Sequence, residues 1–456
     1  MKNLFNIQFN SVHRAAVFSC LMLCLMGYYA KAQDFSDKLT KYLETHLQQG
    51  TFSGTVVVTE KGKTIYSKGF GMADYEEGVP NNENIKYRFG SIGKVFTAAM
   101  ILQLQEQGRL HVQDKLSKHI PDFPNGDKIT LHHLLTHTSG LANYTDTWEN
   151  VYTQPTTGKD LIAYFKDKPM EFEPGEKFSY CNSGYVLLGY IIELKTGKTY
   201  EQVLTKNILK PLKMSTAGLE GGNMAVPGLA VGYDYSGAQR KLSSPIDMSW
   251  CWAAGGVYGT AADLVKFDEG LKGNKILSEA SKKLMYTPNM RDYGYGCVID
   301  SVFNQQRIHH TGAINGFKAS FVRLPGKEMT IAILSNYESQ QVNGPITRDI
   351  TAVVLGEKYE VPVVRSIIPM PATALAAYVG EYQVSPKFSF RITLEENQLY
   401  AEGPGQDKFE IFPEAEDKFF VKVAPALITF EKNEEGKIAK MLMHHGGRTM
   451  PAVRAN

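Results

Sequence analysis

Cysteine and net charge are both scarce in this 456-residue chain, with five Cys and a formal charge of +2. Cys20 and Cys24 fall within the first 32 residues, which leaves Cys181, Cys251 and Cys297 beyond them. Three thiols cannot build a disulfide framework and are wrongly spaced for zinc; at most one bridge can form, and three buried thiols is the plain expectation. Lys2, Arg14 and Lys31 stand among residues 1–32 without an acid, so the remaining body carries −1. So small a charge gives no electrostatic reason to expect nucleic acid or an anionic membrane as partner. Long apolar runs are missing too. The one candidate, Ala15 to Met26, is too short to span a bilayer comfortably. With basic residues ahead of it and Ala30-Lys31-Ala32 behind, it reads as a signal peptide cleaved near Ala32, an uncleaved anchor being the alternative. No membrane span is expected in the mature chain, which is then secreted or periplasmic.

What is present is the composition of a folded protein, 43% apolar and 21% charged. Gly54 to Thr59 is rich in β-branched residues, Glu60 to Lys63 turns, and Thr64 to Ser67 returns, which predicts a hairpin. Ile92 to Gln107 carries apolar residues around much of a helical circumference, with Gly108 at the capping position; this predicts a central, buried helix. Phe317 to Leu324 and Met329 to Leu334 read as strands around a Pro325-Gly326 turn, and Pro345 to Leu355 as a helix. Strands from both ends with helices between them predict an α+β fold: one antiparallel sheet assembled from both termini and backed by a helical cluster. Prolines 362, 369 and 371 mark a boundary. Beyond it, short alternating runs such as Phe388–Leu394, Phe419–Val423 and Ile438–Met443 predict a small all-β barrel or sandwich. The expected division is a leader over 1–32, a catalytic domain over 33–358, a linker over 359–371 and the barrel-like domain over 372–456.

Three short motifs carry chemistry. In Ser91-Ile-Gly-Lys94, the lysine falls one helical turn beyond the serine. A serine hydroxyl needs a base within hydrogen-bond reach, and a buried lysine that favours its neutral amine supplies one. A chain of this length holds about one such S-x-x-K by chance, so the motif is weak alone. In Tyr180-Cys-Asn182, the phenol can relay a proton to a leaving group, and the amide can bond a substrate carbonyl and Lys94 together. In His310-Thr-Gly312, glycine leaves room for a substrate backbone. The Ala313 N–H then faces that of Ser91 to form an oxyanion hole.

The ordered set Ser91-x-x-Lys94, Tyr180-x-Asn182 and His310-x-Gly312 resembles the serine β-lactamase and penicillin-binding-protein superfamily. It is most similar to the class C-like branch, which also holds esterases, D-aminopeptidases and DD-peptidases. Leu131 to Leu141 (LHHLLTHTSGL) and Ala254 to Thr260 (AGGVYGT) extend the likeness across roughly residues 37–355. The tail from Leu375 resembles small β-barrel modules appended to such hydrolases. The resemblance implies a β-lactamase/transpeptidase-like fold. It also implies a secreted serine hydrolase that passes through an acyl-enzyme and needs no cofactor. Ser91, Lys94 and Tyr180 are the expected catalytic residues; Asn182, His310, Gly312 and Ala313 are expected to bind substrate. That substrate is a small molecule or short peptide carrying an amide or ester, with peptidoglycan-type or D-amino-acid peptides, small esters and β-lactams as the candidates; the oligomeric state is left open. Class C β-lactamases usually carry Lys where His310 stands. Losing that fixed cation favours an esterase or peptidase over an efficient β-lactamase.

Rival readings remain. His133 and His137 are spaced like metal ligands on a helix, but Leu134 follows His133 where a metalloprotease helix carries glutamate, so no metal is expected. Trp250 and Trp252 either line the pocket or pack in the core. A thiol role for Cys181 is disfavoured beside a complete Ser–Lys–Tyr set. The second functional class is a retired hydrolase serving as a binding or scaffold module in the cell envelope.

Overall fold

The computed structural model describes residues 34–146, 152–221, 225–236, 239–386, 388–405, 408–422, 426–445 and 448–455. The expected leader and its cleavage site lie outside them. The predicted hairpin forms as β1 (Gly54–Glu60) and β2 (Lys63–Phe70). The later strands are β3 (Val298–Val302), β4 (Gln305–Ile314), β5 (Phe317–Leu324) and β6 (Met329–Ser335). They join in one antiparallel sheet of order β3-β4-β5-β6-β1-β2, with Gly54 opposite Ser335, so the two ends of the catalytic region pair at its centre.

Every residue of β5 and β6 is buried, because both faces of the sheet are covered. Val57, Phe321 and Leu334 face a large core built with helices α2 (Gly93–Glu106), α3 (Asn182–Thr196) and α4 (Ala261–Lys272). Val56, Val322 and Ile333 face a second core with α1 (34–48) and α5 (Thr347–Leu355). The period-2 alternation of strand side chains thus feeds two apolar layers rather than one apolar and one wet face. Helix α2 is buried from Gly93 through Leu104, as its all-round apolar sequence predicts. The Thr260 hydroxyl accepts the Asp263 N–H at the start of α4 while Asp263 reaches back, a capping box that accounts for that stretch of sequence.

Beyond the prolines, eight strands close into a barrel: β7 (Gly380–Ser385), β8 (Phe388–Glu395), β9 (Gln398–Glu402), β10 (Phe409–Ala415), β11 (Lys418–Phe420), β12 (Ala426–Lys432), β13 (Ile438–His445) and β14 (Arg448–Arg454). Closure removes the unpaired edges of a small sheet. Strands β9 and β14 are not legible as alternating apolar runs: β14 exposes most of its side chains and contains Pro451. They exist because closure needs partners for β8 and β7. Among the described residues no helix is long and apolar enough to cross a membrane.

Candidate active site

The site is seated by glycines. Ser91 lies in a 3-10 turn, Gly90–Ile92, that leads directly into α2, so Lys94 falls on the helix's first turn. Gly90 adopts φ +55°, and a Cβ there would come within 2.9 Å of the Ala313 nitrogen. A Cβ on Gly312 would come within 1.9 Å of the Phe89 carbonyl oxygen. Gly312 is therefore required by the chain itself: the segment before Ser91 presses against β4, and side chains at either glycine would force them apart. On its other side, Phe89 N–H donates to Val257 O at 2.9 Å, and Gly255 packs against Gly90. The Gly255-Gly256 stretch thus closes the turn from behind.

Lys94 is fully buried, and its Nζ lies 3.1 Å from Ser91 Oγ, 2.8 Å from Asn182 Oδ1 and 2.8 Å from the Ala254 carbonyl oxygen. None of the three is charged. Burial without a counter-charge pulls the ammonium down to about 7. The neutral amine fits the same partners. Its two N–H groups satisfy the two carbonyl oxygens, which only accept, and its lone pair receives the Ser91 hydroxyl, the one partner able to donate.

Tyr180 and Asn182 are held by the Leu131–Asp146 stretch. His137, in a left-handed conformation at φ +57°, accepts the Cys181 N–H on Nδ1 at 3.0 Å, and its carbonyl accepts the Ser179 N–H. Asn143 Oδ1 accepts the Asn182 N–H at 2.9 Å, and Asn182 Nδ2 donates to Thr145 Oγ1 at 3.2 Å. The Tyr180 ring lies beside the Lys94 amine, 4.9 Å from Nζ to centroid, and against His137 at 4.2 Å between centroids. Desolvation raises the Tyr180 phenol well above its usual range, partly offset by a hydrogen bond with Ser91. The phenol is therefore a proton donor at rest. Burial likewise lifts the Cys181 thiol to about 11, so no thiolate stands beside the serine at neutral pH.

His310 is buried, with Nδ1 2.6 Å from the Thr311 carbonyl and Nε2 2.9 Å from the Tyr293 hydroxyl. A carbonyl only accepts, so Nδ1 carries the proton and Nε2 accepts from Tyr293. Desolvation and the nearby Lys94 push the imidazole down to about 3. His310 thus shapes the wall as a neutral group with both nitrogens occupied.

Ser91, Asn182, Ala254, Gly255 and Ala313 line one cavity of about 260 Å³, with Glu338 at its rim. Tyr180, His310 and Thr311 line an adjoining one of about 490 Å³. All seven residues singled out from the sequence therefore fall within one neighbourhood. The supporting groups Asn143, Thr145, Tyr293 and the Ala254 carbonyl were not assigned roles, because their types and spacing carry no chemical signature. The remaining histidines have separate partners: His132 meets Tyr295 and Asn289, and His133 Nδ1 meets the Thr130 N–H. Trp250 is core, and all three described cysteines are free and buried.

This arrangement of a serine–lysine helix start, a tyrosine-bearing loop and a glycine strand edge defines a β-lactamase-like serine hydrolase. Residues 35–355 match the Beta-lactamase family, and the chain belongs to it. Residues 365–454 match a second family, described as a domain of unknown function (DUF3471). The chain is 28% identical over 445 residues to penicillin-binding protein 4* of Bacillus subtilis, covering 91% of this chain and 98% of the relative. It is 34% identical over 322 residues to the putative penicillin-binding protein PbpX of the same organism, covering 69% and 78%. Among solved structures, the octameric penicillin-binding protein homologue from Pyrococcus abyssi aligns with a TM-score of 0.66 at 25% identity, covering 92% of this chain and 98% of that one.

Proposed function

We propose that the protein is a secreted serine hydrolase, released from its leader near Ala32, that cleaves an amide or ester through an acyl-enzyme on Ser91. The observation that carries this is the Lys94 amine. It is buried, lacks a counter-charge, titrates near neutrality and lies 3.1 Å from Ser91 Oγ. Lys94 takes the Ser91 proton as the Oγ–carbon bond forms. Tyr180 gives its proton to the leaving group as that bond breaks, and transfer of the Lys94 proton to Tyr180 restores both. The N–H groups of Ser91 and Ala313 hold the oxyanion, and the Asn182 amide positions the acyl carbonyl. Water then attacks the ester, giving its proton to Lys94, and Ser91 Oγ leaves with a proton.

The neutral, fully occupied His310 supports an esterase, D-aminopeptidase or DD-carboxypeptidase rather than an efficient β-lactamase. The substrate class is peptidoglycan-type or D-amino-acid peptides or small esters. The test is labelling by a fluorescent fluorophosphonate or penicillin. Wild type should label and Ser91→Ala should not. Absence of labelling with every probe overturns the hydrolase reading in favour of a scaffold in the cell envelope.

A further inference from the structure

Tyr180 sits in a stretch that neither a strand ladder nor a helix secures. Residues 177–181 have no regular secondary structure, and α3 begins only at Asn182. The Tyr180 side chain is exposed where it lines the cleft. A phenol so placed keeps one orientation only if neighbours fix both its backbone and its ring. One buried residue does both. The backbone N–H groups on either side of Tyr180 go to His137: that of Ser179 to its carbonyl oxygen at 2.9 Å, that of Cys181 to Nδ1 at 3.0 Å. The imidazole lies against the Tyr180 ring, 4.2 Å between centroids. A backbone N–H only donates, so Nδ1 is the acceptor and the ring proton lies on Nε2. Protonating the ring would make Nδ1 a donor and break the bond to Cys181. Desolvation, then the nearby Lys94 and His310, hold the imidazole well below its ordinary range and so keep it neutral. Phe178, Tyr185 and Tyr293 pack around it, with centroids 5.8, 5.2 and 4.7 Å away. His137 holds a left-handed backbone, φ +57°, which is uncommon for a residue with a side chain. The strain is kept where its carbonyl and its ring address the same segment.

We infer that His137 is a positioning residue for Tyr180, aligning its phenol to protonate the leaving group. This rests on the acyl-enzyme reading above. There the phenol proton passes to the departing oxygen or nitrogen as its bond to the carbonyl carbon breaks, and Lys94 returns a proton to the phenolate. The transfer needs the phenol within hydrogen-bond reach of the departing atom. His137 lines neither cavity of the cleft, so it acts through Tyr180. Its loss therefore bears on the one step that Tyr180 performs, and most on substrates whose leaving group needs a proton.

The test compares two esters of one acyl group, one releasing 4-nitrophenol and one releasing ethanol, by kcat/KM on the full mature chain. Nitrophenolate departs without a proton, whereas ethoxide needs one. His137→Gly suits the left-handed backbone and removes the imidazole. It should lower kcat/KM for the ethyl ester about 10²-fold more than for the nitrophenyl ester. His137→Asn also suits that backbone, and its Oδ1 stands on the same bond path as Nδ1, so it should recover most of the selective loss. In Tyr180→Phe the phenol is gone, and adding His137→Gly should then cost the ethyl ester no more than the nitrophenyl ester. If His137→Gly does not fold, His137→Phe, which keeps a ring but no acceptor, takes its place with the same selective loss expected. Equal slowing of the two esters, no recovery in His137→Asn, or a further selective loss on top of Tyr180→Phe overturns the proposal. Labelling of Ser91 by a fluorophosphonate, whose fluoride also leaves without a proton, keeps the two readings apart. A wild type that labels while the variant slows both esters alike loses the role of His137 alone, whereas a wild type that does not label loses the hydrolase reading and this role with it.

Discussion

The catalytic region and the barrel bury different things. Buried polar and charged side chains among the described residues run from Thr45 to Thr351, and the barrel strands contribute none. The barrel interior is Tyr382, Phe390, Ile392, Ile428, Phe430, Met441 and their apolar or aromatic neighbours. The catalytic region instead sinks Lys94, His137 and His310 among its apolar residues. Burying an ionisable group is unfavourable unless it is neutral or hydrogen-bonded; Lys94 and His310 are met on every side-chain nitrogen, and His137 on Nδ1. The barrel is built for closure, whereas the catalytic region gives up some stability to hold groups in unusual proton states.

Lys94→Ala tests that contrast hardest. Acylation of Ser91 should fall by about 10³-fold or more, since the base is gone. The far-ultraviolet spectrum and cooperative unfolding should persist, and near-normal turnover would contradict the proposed mechanism. Next in size is Gly312→Ala. With the new Cβ 1.9 Å from the Phe89 oxygen, the Ser91 turn must shift, lowering kcat/KM by about 10²-fold. Destabilisation of about 1–3 kcal/mol should accompany it in urea titrations. The barrel counterpart is Gly436→Ala, at φ +76° with no atom within 4 Å of the added Cβ. It should cost about 1–2 kcal/mol of backbone strain and leave turnover unchanged.

The pH profile separates the two buried bases. Lys94 must be neutral to act, so the acylation rate should rise up to tenfold per unit toward about pH 7 and then level off. His310 should add no limb in the working range, because it stays neutral down to about 3. Stability follows the same logic. The unfolded chain protonates His310 at 6.5 while the folded one resists to about 3, so His310 draws stability down as pH falls through that window. Lys94 is depressed from 10.5 to about 7, so its contribution to stability grows as pH rises between those values. Chemical denaturation across pH checks both signs. The smallest expected effect on activity is that of Ile428→Ala. The barrel should lose about 2–5 kcal/mol of stability while ester turnover holds. A parallel loss of turnover would show that the barrel supports the cleft.

Much of the architecture was legible in the sequence. The β-branched run at Gly54–Thr59 and the all-round apolar helix after Ser91 predict elements whose patterns are local. The barrel was legible as a class but not strand by strand, because Gln398–Glu402 and Arg448–Arg454 are recruited by pairing rather than by their own apolar pattern. At the site, three motifs in order single out Ser91, Lys94, Tyr180, Asn182, His310, Gly312 and Ala313. Asn143, Thr145 and Tyr293 escape that reading, since an asparagine, a threonine or a tyrosine in a loop has no distinctive spacing.

By itself, then, the sequence determined the order of strands and helices and which side chains could do chemistry. Only the tertiary structure decided their states. Lys94 meets Asn182 across 88 residues of chain and the Ala254 carbonyl across 160. Those contacts, with burial, make it a neutral amine rather than a surface cation. The same holds for His310, silenced by Tyr293 and burial, and for Gly312, fixed by the Phe89 carbonyl. Proton state and close approach depend on what surrounds a group in space, and that is set by packing between segments far apart in the chain.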